Sequence, residues 1–219
     1  MTELILIRHG ETDWNRQMRF QGHIDVPLNA AGQAQAARLA ERLAREPLQV
    51  LISSDLLRAR QTAAPLAARL GLALVADAGL REQGFGELEG LRTADVQRER
   101  PEVWAAWSRH DPHYAVPGGE STHGFHERVL AAVQRLAVQH AGRTVGIVTH
   151  GGVLDMLWRA AQGVPLHGPR ACAIPNCGIN RLRFDGGRLQ MLHWADDAHL
   201  RGLPEQPCTV PASLQLSRA

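Results

Sequence analysis

The stretch Leu4-Ile5-Leu6-Ile7-Arg8-His9-Gly10-Glu11-Thr12 decides how the rest of this chain is read. Its continuous apolar run predicts a strand buried on both faces, as in a parallel sheet, and not an amphipathic edge strand. In open α/β sheets ligands gather beyond the carboxyl ends of the strands, so the guanidinium of Arg8 and the imidazole of His9 are placed there to be presented, not packed.

Working outward, a polar loop from Gly10 to about Asn29 precedes a helix predicted over residues 30–45, with Leu39 and Leu43 on one face and Pro47 ending it. Residues 48–52 read as a second strand. Asp55 is the expected N-cap of a helix that turns Leu56, Ala59, Ala63, Leu66 and Leu70 inward. Residues 72–76 form a third, short strand, and Leu80 to Gly90 is an irregular Gly-rich loop. Between Leu91 and Gly119 the mixture of Arg98, Arg100, Trp104, Trp107, His110 and Tyr114 with Pro101, Pro112 and Pro117 predicts a helical insertion. Ser121 caps a helix to about His140 with Phe125, Val129, Val133 and Leu136 on its apolar stripe. Residues 144–148 then form another buried strand that ends at Thr149 and His150, and Gly151-Gly152 open a further helix. Residues 181–192 read as a hairpin around Asp185-Gly186-Gly187, and the Pro and Ser content from Ala195 onward predicts a weakly structured tail over 195–219.

At 219 residues the chain can bury a large core, and it reads as one domain with an embedded insertion. A hydrophobic content of 44% with 21% charged residues is that of a soluble globular enzyme. A net charge of +2 is too small for a nucleic-acid binder that neutralises many phosphates. All 24 basic residues are Arg and none is Lys, which excludes a Schiff-base lysine, a pyridoxal phosphate anchor and a Walker-type phosphate loop. The three cysteines, Cys172, Cys177 and Cys208, are odd in number and lack zinc-ligand spacing, which argues against a disulfide framework and for a reducing compartment, the cytoplasm. The apolar run before Arg8 is neither a signal peptide nor a membrane span.

Three strand ends deliver polar groups of one kind: Arg8 and His9 after the first, Arg58 in the first turn after the second, and His150 after the late one. Helical crossovers between parallel strands align these ends on one edge. Two guanidinium groups would repel a divalent cation, whereas their forks match phosphate oxygens and stay charged at neutral pH. Positive neighbours also keep an imidazole neutral and its lone pair free, so His9 is the candidate nucleophile. Glu82, in the loop Leu80-Arg81-Glu82-Gln83-Gly84-Phe85-Gly86, is the candidate to protonate the leaving oxygen and then activate water, with Glu87 and Glu89 as nearby competitors.

These residues lie in three motifs that resemble those of the histidine phosphatase superfamily, also called the phosphoglycerate mutase-like family. They are Leu6-Ile7-Arg8-His9-Gly10-Glu11-Thr12 with Asn15, then Ser53-Ser54-Asp55-Leu56-Leu57-Arg58-Ala59-Arg60-Gln61-Thr62, and Val148-Thr149-His150-Gly151-Gly152, in that order along nearly the whole chain. The resemblance implies an α/β three-layer sandwich with a mostly parallel central sheet flanked by helices. It implies that His9 becomes a transient phosphohistidine while Arg8, Arg58 and His150 hold the phosphoryl oxygens. Asn15, Gln21, Gly22 and Gly151 would line the pocket, Glu82 would donate the proton, and neither a metal nor an organic cofactor would be needed.

Mutases of that family carry a Glu-Arg-His-Tyr-Gly type loop and further Lys and Arg groups for the substrate carboxylate. Here the loop is Glu82-Gln83-Gly84-Phe85-Gly86 and Lys is absent, so the resemblance is to the small-molecule phosphatase branch. The expected activity is hydrolysis of a small-molecule phosphate monoester, with phosphoglycerate mutase activity and a catalytically weak phospho-ligand binder as the alternatives. The expected partner is a small phosphorylated metabolite, with no nucleic acid and no membrane; sugar phosphates, α-ribazole phosphate, phosphoserine and phosphoglycerates all fit. No motif sets the oligomeric state, and a homodimer is the assembly held in view. Trp104, Trp107 and Tyr114 read as the packed base of the insertion, and His23, His110, His113, His123 and His126 as surface residues or residues just behind the pocket, with a cluster of His110, His113 and Tyr114 bordering the substrate pocket as the alternative.

Overall fold

The computed structural model describes residues 1–206. Its strands are β1 (Thr2–Arg8), β2 (Val50–Ser53), β3 (Leu74–Ala76), β4 (Thr144–Thr149), β5 (Ile179–Asp185) and β6 (Arg188–Asp196). They form one sheet in the order β3-β2-β4-β1-β5-β6. β1 to β4 are mutually parallel, β5 is antiparallel to β1, and β6 is antiparallel to β5. The helices are α1 (Asp13–Arg16), α2 (Ala30–Leu43), α3 (Leu57–Leu70), α4 (Thr93–Glu99), α5 (Pro101–Ser108), α6 (Thr122–Gln139) and α7 (Gly151–Gln162).

Three layers follow from the two-residue period of β1. Leu4 and Leu6 point into one core with Phe125, Val129 and Val133 of α6 and Val153 and Leu157 of α7, whereas Ile5 and Ile7 point into the other with Leu39 and Leu43 of α2 and Ala63 and Leu66 of α3. All four β1 side chains are completely buried, as the unbroken apolar run predicts. A third, smaller cluster of Phe20, Leu88, Val96 and Val116, backed by Trp104, Trp107 and Tyr114, forms the base of the insertion.

The register aligns the strand ends that carry chemistry. Arg8 pairs with Thr149 and Ser53 with Val148, while the His9 and Ser54 amides donate to the Thr149 and Val148 carbonyls, each at 2.8 Å. Arg8, His9, Arg58 and His150 therefore meet at one edge although up to 142 residues separate them, counting from Arg8 to His150.

Several expected boundaries are corrected. The second helix stops at Leu43 and not Arg45, β2 covers Val50–Ser53 and not 48–52, and β3 begins at Leu74 and not Leu72. Asp55 does not cap α3: its carboxylate is held by Arg81 at 2.8 and 2.6 Å, and the cap comes from Asp25, whose carboxylate accepts the Leu57 amide at 2.6 Å. The tail is structured further than its composition implies. Ala195 and Asp196 complete β6, a 3-10 turn spans Ala198–Leu200, and Leu200 is buried against the α2/α3 core. Gln206 bonds the backbone of Asn176 in both directions. Residues 207–219, with Cys208, lie outside the described residues.

Candidate active site

Arg58 is fully buried at the start of α3, and three of its donors are taken by its surroundings. Nε reaches Nδ1 of His150 at 3.2 Å, and the two terminal nitrogens reach the carbonyls of Ile24 and Gly22 at 2.9 and 2.8 Å. A guanidinium has five N–H groups, so two remain for an anion. Arg8 donates one terminal nitrogen to the Ile174 carbonyl at 2.7 Å, while its buried Nε has no partner among the described residues.

The two imidazoles lie with ring centres 5.2 Å apart, and their partners assign opposite tautomers. Nδ1 of His9 is 2.7 Å from the Gly10 carbonyl, which can only accept, so the hydrogen is on Nδ1 and the lone pair on Nε2. Nδ1 of His150 accepts from Arg58, so its hydrogen is on Nε2, which is buried without a partner among the described residues. One ring offers a nucleophile and the other a donor.

Electrostatics keeps both rings in that state. Burial first, then Arg58 and Arg8, pushes the His9 pKa well below its ordinary 6.5. Burial, then Arg58, His9 and Arg8, does the same to His150. Burial and the neighbouring Arg170 guanidinium bring Arg8 down to about 10, and burial brings Arg58 to about 10, so both remain cationic at neutral pH.

Arg8, His9, Asn15, Gln21, Arg58 and Glu82 line a pocket of about 160 Å³. Asn15 closes a capping box with Thr12, its Oδ1 accepting from the Thr12 amide and hydroxyl at 3.0 and 3.1 Å, which leaves its amide nitrogen as the free end. Gln21 Oε1 lies at the same 3.1 Å from the Thr12 hydroxyl and shares its single hydrogen with Asn15. Gly22 meets the site through its carbonyl, which holds Arg58; a Cβ there would collide with the Glu89 carboxylate. Gly151 opens α7 directly against Arg8.

Geometry also separates the three carboxylates that sequence left in competition. Glu82 Oε2 accepts from the Gly152 amide at 3.1 Å at the start of α7, and its carboxylate faces the pocket. Glu89 is tied to the amides of His23 and Phe85 at 3.1 and 3.0 Å, and Glu87 lies outside against Arg100. Glu82 also lines a second, adjoining cavity of about 280 Å³ with Trp107, His110, Tyr114 and Arg170. The aromatic residues of the insertion are thus both its packed base and a cavity wall.

Several supports went unread in the sequence. Asn176 donates to the His9 carbonyl at 2.8 Å, the Cys177 amide donates to the Arg8 carbonyl at 3.0 Å, and Thr62 accepts from the Gly10 amide at 2.9 Å. His23, expected either at the surface or just behind the pocket, takes the second place: its Nε2–H donates to the Glu82 carbonyl at 2.9 Å, and Arg128 donates to the same oxygen at 3.1 Å. Arg170 also escaped notice. The sequence does offer two buried-strand exceptions as a signal: Asn176 just before β5 and Asn180 within it.

A pocket lined by Arg8, His9, Arg58 and Glu82 at the carboxyl edge of the parallel strands is the anion site of an α/β phosphoryl-transfer enzyme. The chain belongs to the histidine phosphatase superfamily (branch 1), whose family model matches residues 4–197. It is 39% identical over 202 residues to phosphoglycerate mutase-like protein 4 of Arabidopsis thaliana, covering 90% of this chain and 86% of that one. It is 35% identical to a metal-independent phosphoserine phosphatase of the same plant, covering 91% and 84%. The solved structure of YhfR from Bacillus stearothermophilus superposes with a TM-score of 0.83 at 33% identity, covering 91% of this chain and all of that one.

Proposed function

We propose that this protein hydrolyses a small-molecule phosphate monoester through a phosphohistidine on Nε2 of His9. The observation that carries this reading is the pair of opposite tautomers on rings whose centres are 5.2 Å apart: the lone pair of His9 is on Nε2, and His150 carries a buried, unpartnered N–H on its own Nε2, with the guanidinium groups of Arg8 and Arg58 beside them.

Nε2 of His9 attacks phosphorus, the P–O bond to the alcohol breaks, and Glu82 gives the departing oxygen its proton. Arg8, Arg58 and His150 Nε2–H hold the three non-bridging oxygens, Asn15 and Gln21 border them, and Gly151 lets α7 approach closely. Water then attacks the phosphohistidine, Glu82 takes its proton, the N–P bond breaks, and inorganic phosphate leaves. Such a transfer depends mainly on positioning and charge stabilisation, which preformed donors supply. The similarity to a relative named a metal-independent phosphoserine phosphatase supports hydrolysis without a metal.

The setting we propose is the cytoplasm, where the buried, unpaired thiols of Cys172 and Cys177 would stay reduced. The proposed unit is a single domain with residues 91–119 as its insertion, assembled as a homodimer; size-exclusion chromatography with light scattering tests the assembly. Among the described residues no helix is long and apolar enough to cross a membrane.

The test is phosphate release from an aryl phosphate in the presence of a chelator, with acid-labile phosphate trapped on His9 by mass spectrometry. His9→Ala is expected to abolish both. Turnover retained in that variant sinks the proposal. Because another relative is named mutase-like, phosphoglycerate should also be supplied, and isomer in place of free phosphate would identify a mutase.

A further inference from the structure

Arg128 stands in the second turn of α6, and each of its five N–H groups has an acceptor. Nε donates to Oε1 of Glu120 at 2.8 Å, and Nη1 donates to the carbonyls of Gly79 and Arg81, both at 3.1 Å. Nη2 donates to the Glu82 carbonyl at 3.1 Å and to Oε2 of Glu120 at 2.7 Å. A rigid planar fork of five donors is thus matched by five acceptors. The carbonyl that this fork passes over, that of Leu80, accepts from the Thr149 hydroxyl at 2.7 Å. Every carbonyl from Gly79 to Glu82, the segment that delivers the candidate acid, is therefore held by a side chain of α6 or β4.

The fold brings these partners together from two sides. Ala132, one turn after Arg128 on the same face of α6, lies so near Gly79 that a Cβ there would come within 2.8 Å of the Ala132 methyl. Glu120, ahead of the helix, ties the other end of the loop: its amide donates to the Gly84 carbonyl at 2.8 Å, and its Oε2 accepts from the Gly84 amide at 2.9 Å. Burial raises the Glu120 pKa, but the Arg128 hydrogen bond brings it below its ordinary value, so the carboxylate stays charged and neutralises the guanidinium. Arg128 lines neither the pocket of about 160 Å³ nor the cavity of about 280 Å³, so its route to the chemistry runs through the loop. The Glu82 carboxylate takes its direction from that loop, because Oε1 accepts from the Gln83 amide at 3.0 Å while Oε2 accepts from the Gly152 amide of α7.

We propose that Arg128 is a positioning residue for the reaction: by fixing the backbone of residues 79–82 it aims the Glu82 carboxyl at the departing oxygen, through the shape of its fork and not through its charge. The inference rests on the acid role given to Glu82 above. Misplacing a catalytic group by about 1 Å is enough to cost about a hundredfold in rate. A lysine, with three donors on a point charge, keeps the charge and cannot serve five acceptors.

The test reads kcat/KM of Arg128→Lys on an alkyl phosphate and on nitrophenyl phosphate, alone and combined with Glu82→Gln. The single variant is expected to lose about tenfold to a hundredfold on the alkyl ester and less than about threefold on the nitrophenyl ester. Added to Glu82→Gln, it should change the alkyl rate by less than about threefold, since the group it aims is already gone. A loosened fold would instead lower both esters alike and add to the Glu82→Gln loss. Either of those results, or an unchanged rate on both esters, overturns the role of Arg128. Where circular dichroism shows Arg128→Lys to be unfolded, Glu120→Gln takes its place, with a loss of about threefold to tenfold on the alkyl ester and the same cancellation in Glu82→Gln. Equal losses on both esters in Glu82→Gln alone overturn the acid role of Glu82 and this proposal with it. No phosphate release from either ester by the unaltered protein overturns the hydrolytic reading itself.

Discussion

His9 and His150 stand 5.2 Å apart at the ends of two adjacent parallel strands, yet one is oriented by a carbonyl and the other by a guanidinium. That difference assigns the lone pair to His9 and the hydrogen to His150. His150→Ala is accordingly expected to leave a nucleophile without one of its oxyanion donors, lowering kcat by about 10²–10³-fold, whereas His9→Ala removes turnover altogether. Rapid-quench measurement of the phosphoenzyme separates the two, since only the His150 variant should still form it, slowly.

The pH dependence follows from the lowered His9 pKa. Its neutral form is the reactive one, so kcat/KM should persist as the pH falls through 6.5 and decline only when the depressed pKa is reached. An acid limb near 6.5 would count against His9 as nucleophile.

Stability has the matching sign. Below pH 6.5 the unfolded chain binds protons on His9 and His150 that the folded protein does not, so the unfolded state gains protons and folding weakens as the pH drops from 6.5 toward the depressed values. Urea midpoints at pH 7.5 and 5.5 should therefore differ, and the difference should shrink in His150→Ala.

Glu82→Gln should cost most where the leaving oxygen most needs a proton. Losses of about 10²–10⁴-fold are expected on alkyl phosphates and much smaller ones on nitrophenyl phosphate. Equal losses across leaving groups would remove Glu82 from the acid role.

Gly152→Ala tests the same carboxylate from the other side. A Cβ at this position would collide with the Glu82 carboxylate, the movable end of a flexible side chain, and stand 3.1 Å from the buried Phe125 ring. The variant should lose some melting temperature to the Phe125 contact and show the leaving-group pattern of Glu82→Gln, which a packing defect alone would not produce.

Asn176→Ala is expected to destabilise by about 1–3 kcal/mol, because it leaves the buried His9 carbonyl without its 2.8 Å donor. Urea denaturation measures this directly. A change near zero would mean that the segment before β5 does not brace the end of β1.

Much of this is legible in the amino-acid sequence. The four-residue apolar run of β1 can only be satisfied by cover on both faces, so a parallel sheet between two helical layers followed from it. Arg8, His9, Arg58 and His150 are identifiable because Arg8 ends a strand, His9 and His150 directly follow one and Arg58 stands in the first helical turn after one, and the structure brings all four to one edge. Glu82 was not separable from Glu87 and Glu89 by sequence, since which carboxylate faces the pocket depends on the Gly152 amide 70 residues away. Asp55 looked like a helix cap because capping is usually local; its acid is taken instead by Arg81, and a residue from an earlier loop, Asp25, does the capping. The stretch from Ala195 to Gln206 is more structured than its composition implies because composition does not reveal that Leu200 is buried against α2 and α3.

What the amino-acid sequence determined by itself was the layering of the fold and the presence of an anion pocket, because hydrophobic period and residue charge are local properties that any compact arrangement must respect. What only the tertiary structure decided was the state of each group in that pocket: which imidazole carries its hydrogen on which nitrogen, and which carboxylate reaches it. Those are outcomes of distance and orientation between residues far apart in the chain, and hydrogen bonding and charge act through space, not along the sequence.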